Sequence, residues 1–195
     1  MNNRQVPRPK TIMKIKMYIL SLWLLFFLAI IATFDFSEIK SSNTNWTKVL
    51  CNNLISAICV IFLLLCVLFF LEFRYKLEGT TQLPAKTSSV KNINNEYLAF
   101  LTTYIIPFVL VDFSSQRQVI ILIILLIVIG AIYVKTNMFY SNPTLALLGY
   151  KIYEFDTNAD NVTGTFITLD EIEDGQKVQY IRLDKSVFFA RRLDD

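Results

Sequence analysis

The chain has 195 residues, of which 54% are apolar, and it carries a formal net charge of only +3. It contains no histidine, the commonest metal ligand and a frequent general base, and its three cysteines all fall within one apolar run. We therefore expect neither a metalloenzyme, nor a disulfide framework, nor bulk electrostatic binding of nucleic acid. A non-enzymatic protein without a cofactor or metal is predicted, although a site built from carboxylates alone stays open.

Four apolar runs fill most of the first 140 residues. With their interfacial side chains they cover residues 15–34, 49–71, 97–113 and 119–139. About 20 helical residues cross the roughly 30 Å hydrocarbon core of a bilayer. The pattern predicts an α-helical integral membrane protein with four transmembrane helices in residues 1–140. The last two runs are short, so they could instead form a re-entrant hairpin.

The distribution of lysine and arginine predicts the orientation of these spans. The protein has 19 such residues, and only Lys40, Lys48 and Arg117 fall in the two connections predicted to lie outside. The remaining ones lie at the start of the chain up to Lys16, in the polar segment 72–96 or in the tail from Lys135. Because cytoplasmic connections are enriched in these residues, we expect both termini in the cytoplasm. The segment 72–96, with Gly79 and Pro84, is typical of a linker.

Residues 141–195 predict a small cytoplasmic, mainly-β domain. Asn142 suits an N-cap, Pro143 suits the first helical position, and Gly149 suits the position after a helix, so a short helix is predicted at 143–148. The rest is rich in aromatic and β-branched residues and predicts three or four mostly antiparallel strands. A domain of about 50 residues is marginally stable alone, so we expect it to pack against a soluble partner or another copy.

Charged side chains near the end of the tail are candidates for partner binding. The acidic ones are Asp170, Glu171, Glu173 and Asp174. They lack the spacing of calcium ligands in an EF-hand, so they form either a docking surface for a basic partner or an ordinary solvated loop. Arg191 and Arg192 could contact lipid head groups or a partner.

The apolar runs contain three further features with two interpretations each. Small and polar residues share one helical face of the second run: Asn52, Ser56, Cys59 and Cys66. That face is either a helix-packing or oligomer seam or the lining of an oligomeric pore. Pro107 should kink the third run, as a static bend or as a hinge. Asp112 and Arg117 flank the outer turn, as a sensor pair or as solvated charges.

Two stretches of the sequence resemble a known family. They are residues 135–155, with Asn142-Pro143-Thr144 and the run 147–153, and residues 104–108. Together with the basic start and the β-rich tail, they resemble the KwaA family, the membrane component of the bacterial Kiwa anti-phage system.

The resemblance implies an inner-membrane sensor that responds to phage attachment or injection. It also implies a homo-oligomer, with a tetramer expected, and association with a soluble cytoplasmic DNA-binding partner, KwaB. Direct binding of nucleic acid by this chain is not expected. An oligomeric pore or channel-like effector is the alternative function.

Overall fold

The structure is a computed structural model that describes residues 11–35, 46–77, 84–136, 138–158, 162–184 and 186–193, and of Phe139 the backbone only. Its helices are α1 (Thr11–Ser21), α2 (Trp23–Thr33), α3 (Trp46–Asn52), α4 (Leu54–Leu77), α5 (Asn95–Leu110), α6 (Gln116–Thr136) and α7 (Pro143–Leu147), with a 3-10 turn at Met138–Tyr140. Its strands are β1 (Ala85–Asn92), β2 (Lys151–Thr157), β3 (Val162–Thr168), β4 (Lys177–Arg182) and β5 (Val187–Arg192). Five basic residues that contribute to the predicted orientation lie outside the described residues: Arg4, Arg8, Lys10, Lys40 and Lys185.

The long helices form a bundle with an apolar exterior. Helix α4 packs along α1 and α2, and α1 also packs on α6. The most apolar windows of α4 and α6 have mean hydropathies of 3.3 and 2.8, yet only 17% of each window is buried inside the chain. Most of the apolar surface of these two helices therefore faces outward.

The prediction of four transmembrane helices is wrong. Among the described residues, only α4 and α6 are long and apolar enough to cross a membrane, and a third span requires joining α1 and α2 across their 44° bend. The first apolar run is interrupted at Leu22. Helix α5 has 16 residues, which cover about 24 Å, less than the roughly 30 Å of a hydrocarbon core. The length of an apolar run alone does not reveal where a helix breaks or ends.

The five strands close into a barrel in the order β1-β2-β3-β5-β4, with β4 pairing back onto β1. Strands β3 and β5 run parallel, and the other neighbours are antiparallel. This is the strand order of an OB-type Greek-key barrel. Helices α5, α6 and α7 are inserted between β1 and β2, so the barrel draws on both sides of the α5–α6 hairpin.

The barrel also corrects the predicted sheet of three or four strands. Its first strand, β1, comes from the segment 72–96, which the sequence favours as a linker. That strand reads AKTSSVKN, in which small and polar residues replace the usual aromatic and β-branched ones. Its pairing with β2 shifts register between Ser88 and Lys91, and Ser89 has a positive φ of 58°. Because its inward-facing residues are small and a bulge interrupts its register, this strand lacks the alternating apolar pattern by which strands are predicted.

The barrel interior is filled by aromatic rings. Phe166 is fully buried and stacks on Phe155, with 3.7 Å between ring centroids, and on Phe188 at 4.8 Å. Tyr180 meets both Phe166 and Phe188 edge-on. Because an aromatic side chain buries a large area, these rings give the small barrel a core of its own.

The barrel is attached to one end of the bundle, which we call the barrel end. Lys14 near the start of α1 lies 3.2 Å from Asp184, measured from Nζ to Oδ2. Phe73 near the end of α4 contacts Tyr150, with 6.5 Å between ring centroids. Strand β1 leads directly into α5, and α6 leads through the 3-10 turn into α7 and β2. The start of α1, the end of α4, the start of α5 and the end of α6 therefore all lie at the barrel end.

Candidate functional site

The most unusual feature of the bundle is the interruption between α1 and α2. Leu22, with φ −90° and ψ 5°, separates the two helices, and its N–H donates to the carbonyl oxygen of Ile19 at 3.1 Å. The last four carbonyl groups of a helix have no partner within it. Ser21 and Leu22 are buried, so these carbonyls need other partners. Ser21 Oγ donates to the carbonyl of Tyr18 at 2.6 Å, and the carbonyls between Met17 and Ser21 also accept four donors from other elements.

Two of those donors come from the segment that begins α7. Asn142 Nδ2 donates to the carbonyl oxygen of Met17 at 2.9 Å, and Thr144 Oγ1 donates to that of Leu20 at 2.7 Å. Asn142 also accepts the N–H of Thr144 at 3.0 Å and so caps α7. One buried side chain therefore begins α7 and ties it to α1.

The other two donors come from α5 and α4. The hydroxyl of Tyr104 donates to the carbonyl oxygen of Ser21 at 2.9 Å, and the thiol of Cys66 donates to that of Ile19 at 3.3 Å. We call the last turn of α1, together with its four donors Asn142, Thr144, Tyr104 and Cys66, the α1 joint. Removing one donor from a buried carbonyl costs about 1–3 kcal/mol. The α1 joint thus holds the end of α1 against α4, α5 and α7.

A cluster of tyrosines fixes the other side of α1. The hydroxyl of Tyr18 donates to the carbonyl oxygen of Leu126 at 2.6 Å, and its ring lies 5.4 Å from that of Tyr133. A Cβ atom at Gly130 would lie only 2.6 Å from Cε1 of Tyr18. Gly130 therefore allows the ring of Tyr18 to approach the backbone of α6.

The α1 joint lies one short step from the barrel. Helix α7 ends at Leu147, and Gly149, with φ +85°, turns the chain directly into β2. The carbonyl of Ile152 in β2 accepts the N–H of Ile93, and the side chain of Asn94 accepts the N–H of Ile152 at 2.7 Å. Few residues therefore separate the α1 joint from β2.

The structure places most of the predicted seam of the second run inside the chain. Ser56, Cys59 and Cys66 are buried against α1 and α2, and Ser56 Oγ hydrogen-bonds Thr33 Oγ1 at 2.8 Å. Asn52 lies in α3, is exposed and does not join them. The face predicted as a seam or pore lining is thus occupied, in this chain, by neighbouring helices.

Pro107 and the outer turn lie away from the α1 joint. Pro107 is inside α5, which continues to Leu110. Asp112 accepts the N–H of Ser114 at 2.9 Å, and its own N–H donates to the side chain of Gln118 at 2.8 Å. Arg117 is exposed at the start of α6, and the structure, which describes both residues, shows no ion pair between it and Asp112. These contacts make a local turn.

The carboxylate groups of three of the four predicted acidic residues accept hydrogen bonds from other parts of the barrel. Glu171 Oε1 lies 2.7 Å from Lys151 Nζ, and this hydrogen bond lowers the pKa of the Glu171 carboxyl and raises the pKa of Lys151. Asp174 accepts the N–H of Val90 at 2.8 Å, and Asp170 accepts a backbone N–H at the end of β5 at 2.9 Å. The backbone carbonyl oxygen of Glu173 accepts a hydrogen bond from the hydroxyl of Thr87 in β1 at 2.7 Å. The cluster therefore ties the loop after β3 to the rest of the barrel.

The outer faces of the barrel differ in charge. The β2–β3 face, where OB-type barrels bind oligonucleotides, carries the acidic side chains of Glu154 and Asp156. Arg191 and Arg192 are exposed at the end of β5, and the guanidinium of Arg191 lies 5.6 Å from the ring centroid of Phe189. An acidic β2–β3 face disfavours a nucleic-acid backbone there.

The described residues contain no group of three or more histidine, cysteine, aspartate or glutamate side chains arranged to hold a metal ion. The polar groups of the α1 joint are hydrogen-bonded to one another, so their arrangement suits mechanical coupling between helices. Sequence analysis missed the roles of Tyr104 and Thr144 because a backbone carbonyl acceptor on another helix has no signature in residue type. The sequence of residues 142–144 does indicate a helix start, and it is part of the family resemblance.

Comparison with known proteins identifies relatives over nearly the whole chain. A family model described as "Anti-phage protein KwaA" matches residues 13–189. The curated "Kiwa protein KwaA" of Escherichia coli O55:H7 (strain RM12579 / EPEC) is 31% identical over 186 residues, which cover 92% of this chain and 95% of that protein. No solved structure matches the chain significantly.

Proposed function

The chain belongs to the KwaA family of anti-phage proteins, and on that basis we propose that it is a membrane-embedded sensor and scaffold without enzymatic activity. In this proposal, an event at the membrane displaces helices of the bundle. The displacement passes through the α1 joint to the barrel, and a cytoplasmic partner responds.

The outward apolar surface of the bundle supports its placement in a membrane. Leu64 and Ile127, on α4 and α6, are 62% and 65% exposed. Contiguous apolar patches of this kind are rare on soluble monomers. A bilayer would cover both helices, whose lengths of 24 and 21 residues match its hydrocarbon core.

The charges at the two ends of the bundle support a cytoplasmic barrel. The barrel end carries five cations on its helices: Lys14, Lys16, Arg74, Lys76 and Lys135. Described cations at the opposite end are Lys48 and Arg117. Since lysine and arginine are enriched on the cytoplasmic side of a bacterial inner membrane, the barrel and both ends of the chain would face the cytoplasm.

The observation that carries the sensor role is the α1 joint. Four side chains from three elements hold the end of one broken helix, and α7 continues directly into the barrel. In this proposal the two parts of the broken helix can adopt a second arrangement that differs from the observed one by few hydrogen bonds, as a switch requires. A tilt of α2 would exchange these bonds and reorient α7.

We further propose that the barrel binds a soluble KwaB-like protein and that several copies of this chain assemble in the membrane. The barrel has an aromatic core of its own, and its outer surface carries the acidic β2–β3 face and the exposed arginines at the end of β5. It can therefore present a fixed surface while the bundle changes its packing. The partner and the oligomer are inferred from the family.

Plaque assays with an altered α1 joint test the sensor role. In Thr144→Val the donor to Leu20 is lost, and we expect protection against phage to fall while membrane insertion and partner recovery persist. Thr102→Val is the matched control, because the hydroxyl of Thr102 bonds only to its own helix, at the carbonyl of Ala99. The control should protect as the unaltered protein does.

Two results would contradict the proposal. Full protection by Thr144→Val, with normal protein levels, would remove the α1 joint from the signal path. Recovery of the soluble partner by a membrane-bound chain that lacks residues 141–195 would show that the barrel is not the docking module. Steady ion conductance in reconstituted bilayers would instead favour a channel-like effector.

A further inference from the structure

An apolar groove runs along the outside of the bundle below α7. Its volume is about 540 Å³, within the usual range for ligand pockets of roughly 300–1,000 Å³. Side chains from α2, α4 and α7 dominate its walls, among them Trp23, Phe27, Leu63, Val67, Phe70 and Leu147. The groove is open along the bundle surface, which in the proposed function faces lipid.

The polar atoms that border the groove are already bonded elsewhere. Cys66 donates its thiol hydrogen to the carbonyl of Ile19, and Thr144 donates its hydroxyl hydrogen to that of Leu20. An occupant of the groove would therefore meet a hydrocarbon surface with no further polar group of the lining to satisfy. Such a surface suits an acyl chain and disfavours a polar ligand.

Two arginines lie just beyond the groove on the barrel side. Arg74 follows Phe70 by one turn on the same face of α4. Arg191 stacks on Phe189, whose ring lies 6.3 Å from that of Tyr150. In the described part of the chain, neither guanidinium forms an ion pair with a carboxylate.

Tyr150 lies between the two elements that carry these arginines. It packs between Phe73 of α4, the neighbour of Arg74 in sequence, and Phe189 of β5, on which Arg191 lies. Burial raises the pKa of its hydroxyl, and the positive charges of Arg74 and Arg191 both oppose that change. Tyr150 follows Leu148, which lines the groove, by two residues.

We propose that the groove and these arginines form a binding site for an anionic phospholipid, with one acyl chain in the groove and the phosphate between Arg74 and Arg191. The site rests on the membrane placement proposed above. It lies at the height where a cytoplasmic leaflet has its head groups, since the arginines mark the boundary between the bundle and the barrel.

Charge complementarity favours this occupant over a second copy of the chain. A protein helix would fill the apolar groove but leave the two arginines without an anion. A phospholipid supplies both parts, and arginine binds phosphate oxygens with two parallel hydrogen bonds. Because the groove adjoins Thr144 and Cys66, a bound lipid would also pack directly against the α1 joint.

Quenching of Trp23 fluorescence by brominated lipids tests the site. The chain has two tryptophans, so Trp46→Phe leaves Trp23, in the groove wall, as the reporter. The full-length protein is reconstituted in phosphatidylcholine vesicles that contain graded amounts of phosphatidylglycerol or phosphatidylcholine with a dibrominated acyl chain. We expect phosphatidylglycerol to reach half-maximal quenching at a much lower fraction, by about fivefold for each arginine.

Two pairs of variants locate the effect. Arg74→Gln with Arg191→Gln should bring the two lipids to within about twofold of each other. Lys91→Gln with Lys135→Gln removes two barrel-side charges away from the groove and should keep the preference. Val67→Phe narrows the groove and should weaken quenching by both lipids. Val128→Phe, at an exposed site on α6 outside the groove, should not.

Three outcomes would overturn the inference. If both lipids quench Trp23 equally, and the arginine variant behaves in the same way, the head-group part of the site is excluded and the acyl-chain part is not. Protection of Trp23 from both lipids, in protein that floats with the vesicles, would mean that protein fills the groove. A chain that does not float with vesicles would also contradict the proposed membrane placement, so the two failures are distinguishable.

Discussion

The barrel encloses its large aromatic side chains, whereas the bundle leaves most of its apolar surface on the outside. In the barrel, Phe155, Phe166 and Phe188 stack in a closed interior. In the bundle, the buried interior combines apolar side chains with tyrosines and the hydrogen bonds of the α1 joint, while many leucine, isoleucine and valine side chains point outward. The two regions therefore differ in their surfaces, because the barrel encloses its large apolar side chains and the bundle exposes many of them.

This contrast separates stability from switching. The barrel gains its stability from apolar burial, which is not directional and is roughly proportional to area. The bundle positions α1 by directional hydrogen bonds that a small rotation can break or exchange. In the proposed function, the barrel would stay fixed while the packing of the bundle changes.

The largest expected effect comes from opening the barrel core. Phe166→Ala should destabilise the barrel by about 3–5 kcal/mol, because it removes a fully buried ring that stacks on two others. Pulse proteolysis in detergent, with fragments identified by mass spectrometry, should show early cleavage within residues 151–193.

Truncation of an exposed apolar side chain on the bundle surface is the matching test. Leu64 is 62% exposed, so Leu64→Ala should leave the proteolysis profile of the detergent-solubilised protein nearly unchanged. If Phe166→Ala were equally silent, the closed aromatic core would not be the source of barrel stability.

The second effect concerns the α1 joint. Asn142→Asp keeps an oxygen to cap α7 but replaces the donor to the Met17 carbonyl with a buried carboxylate oxygen. We expect a loss of about 3 kcal/mol, since a buried charge then faces an acceptor without a hydrogen. Thermal unfolding in detergent should show it, and Thr144→Val should lose less, about 1–3 kcal/mol. Equal stability of Asn142→Asp and the unaltered chain would argue against the bond to Met17.

A third, smaller effect is expected at the contact between α1 and α6. Gly130→Ala would place a Cβ atom 2.6 Å from the ring of Tyr18, and overpacking of this kind costs about 1–3 kcal/mol. Gly149→Ala is a control for the loss of a glycine, because nothing lies within 4 Å of its added Cβ and only its φ of +85° opposes the change. Fluorescence of Trp23 during heating should distinguish them, with Gly130→Ala unfolding the bundle earlier.

The smallest effect is a pH dependence on the barrel surface. The pKa of Glu171 is lowered by Lys151 in the folded chain, so the stabilisation by this ion pair is present above the unfolded-state pKa of about 4.3. It is lost as the pH falls through the still lower folded-state pKa. The melting temperatures of the unaltered chain and of Glu171→Gln should differ by at most a few degrees at pH 7, and this difference should shrink as the pH falls below about 4. A difference that grew on acidification would contradict this.

Several elements were predictable because their signals are local. Apolar runs located α4 and α6, and Asn142 with Pro143 located the start of α7. Helical spacing also placed Ser56, Cys59 and Cys66 on one face, which the structure buries.

The remaining features depend on distant partners. The break at Leu22 lies in a run without glycine or proline, and it is stabilised by donors more than 40 residues away in sequence. Strand β1 pairs with β4 through Ala85 and Val178, and its small, polar residues gain a role only in the closed barrel. The candidate site was missed for the same reason, since neither Tyr104 nor Thr144 differs in type from an ordinary helix residue.

The position of β1 in the chain has a consequence for biosynthesis. β1 is translated before the α5–α6 hairpin, and β2 to β5 after it. The barrel can therefore close only after the α5–α6 hairpin has returned the chain to the end of the bundle where β1 lies. In the proposed membrane placement, a hairpin inserted in the wrong orientation would leave β1 unpaired and the barrel incomplete, so closure of the barrel would depend on correct insertion of the nascent polypeptide.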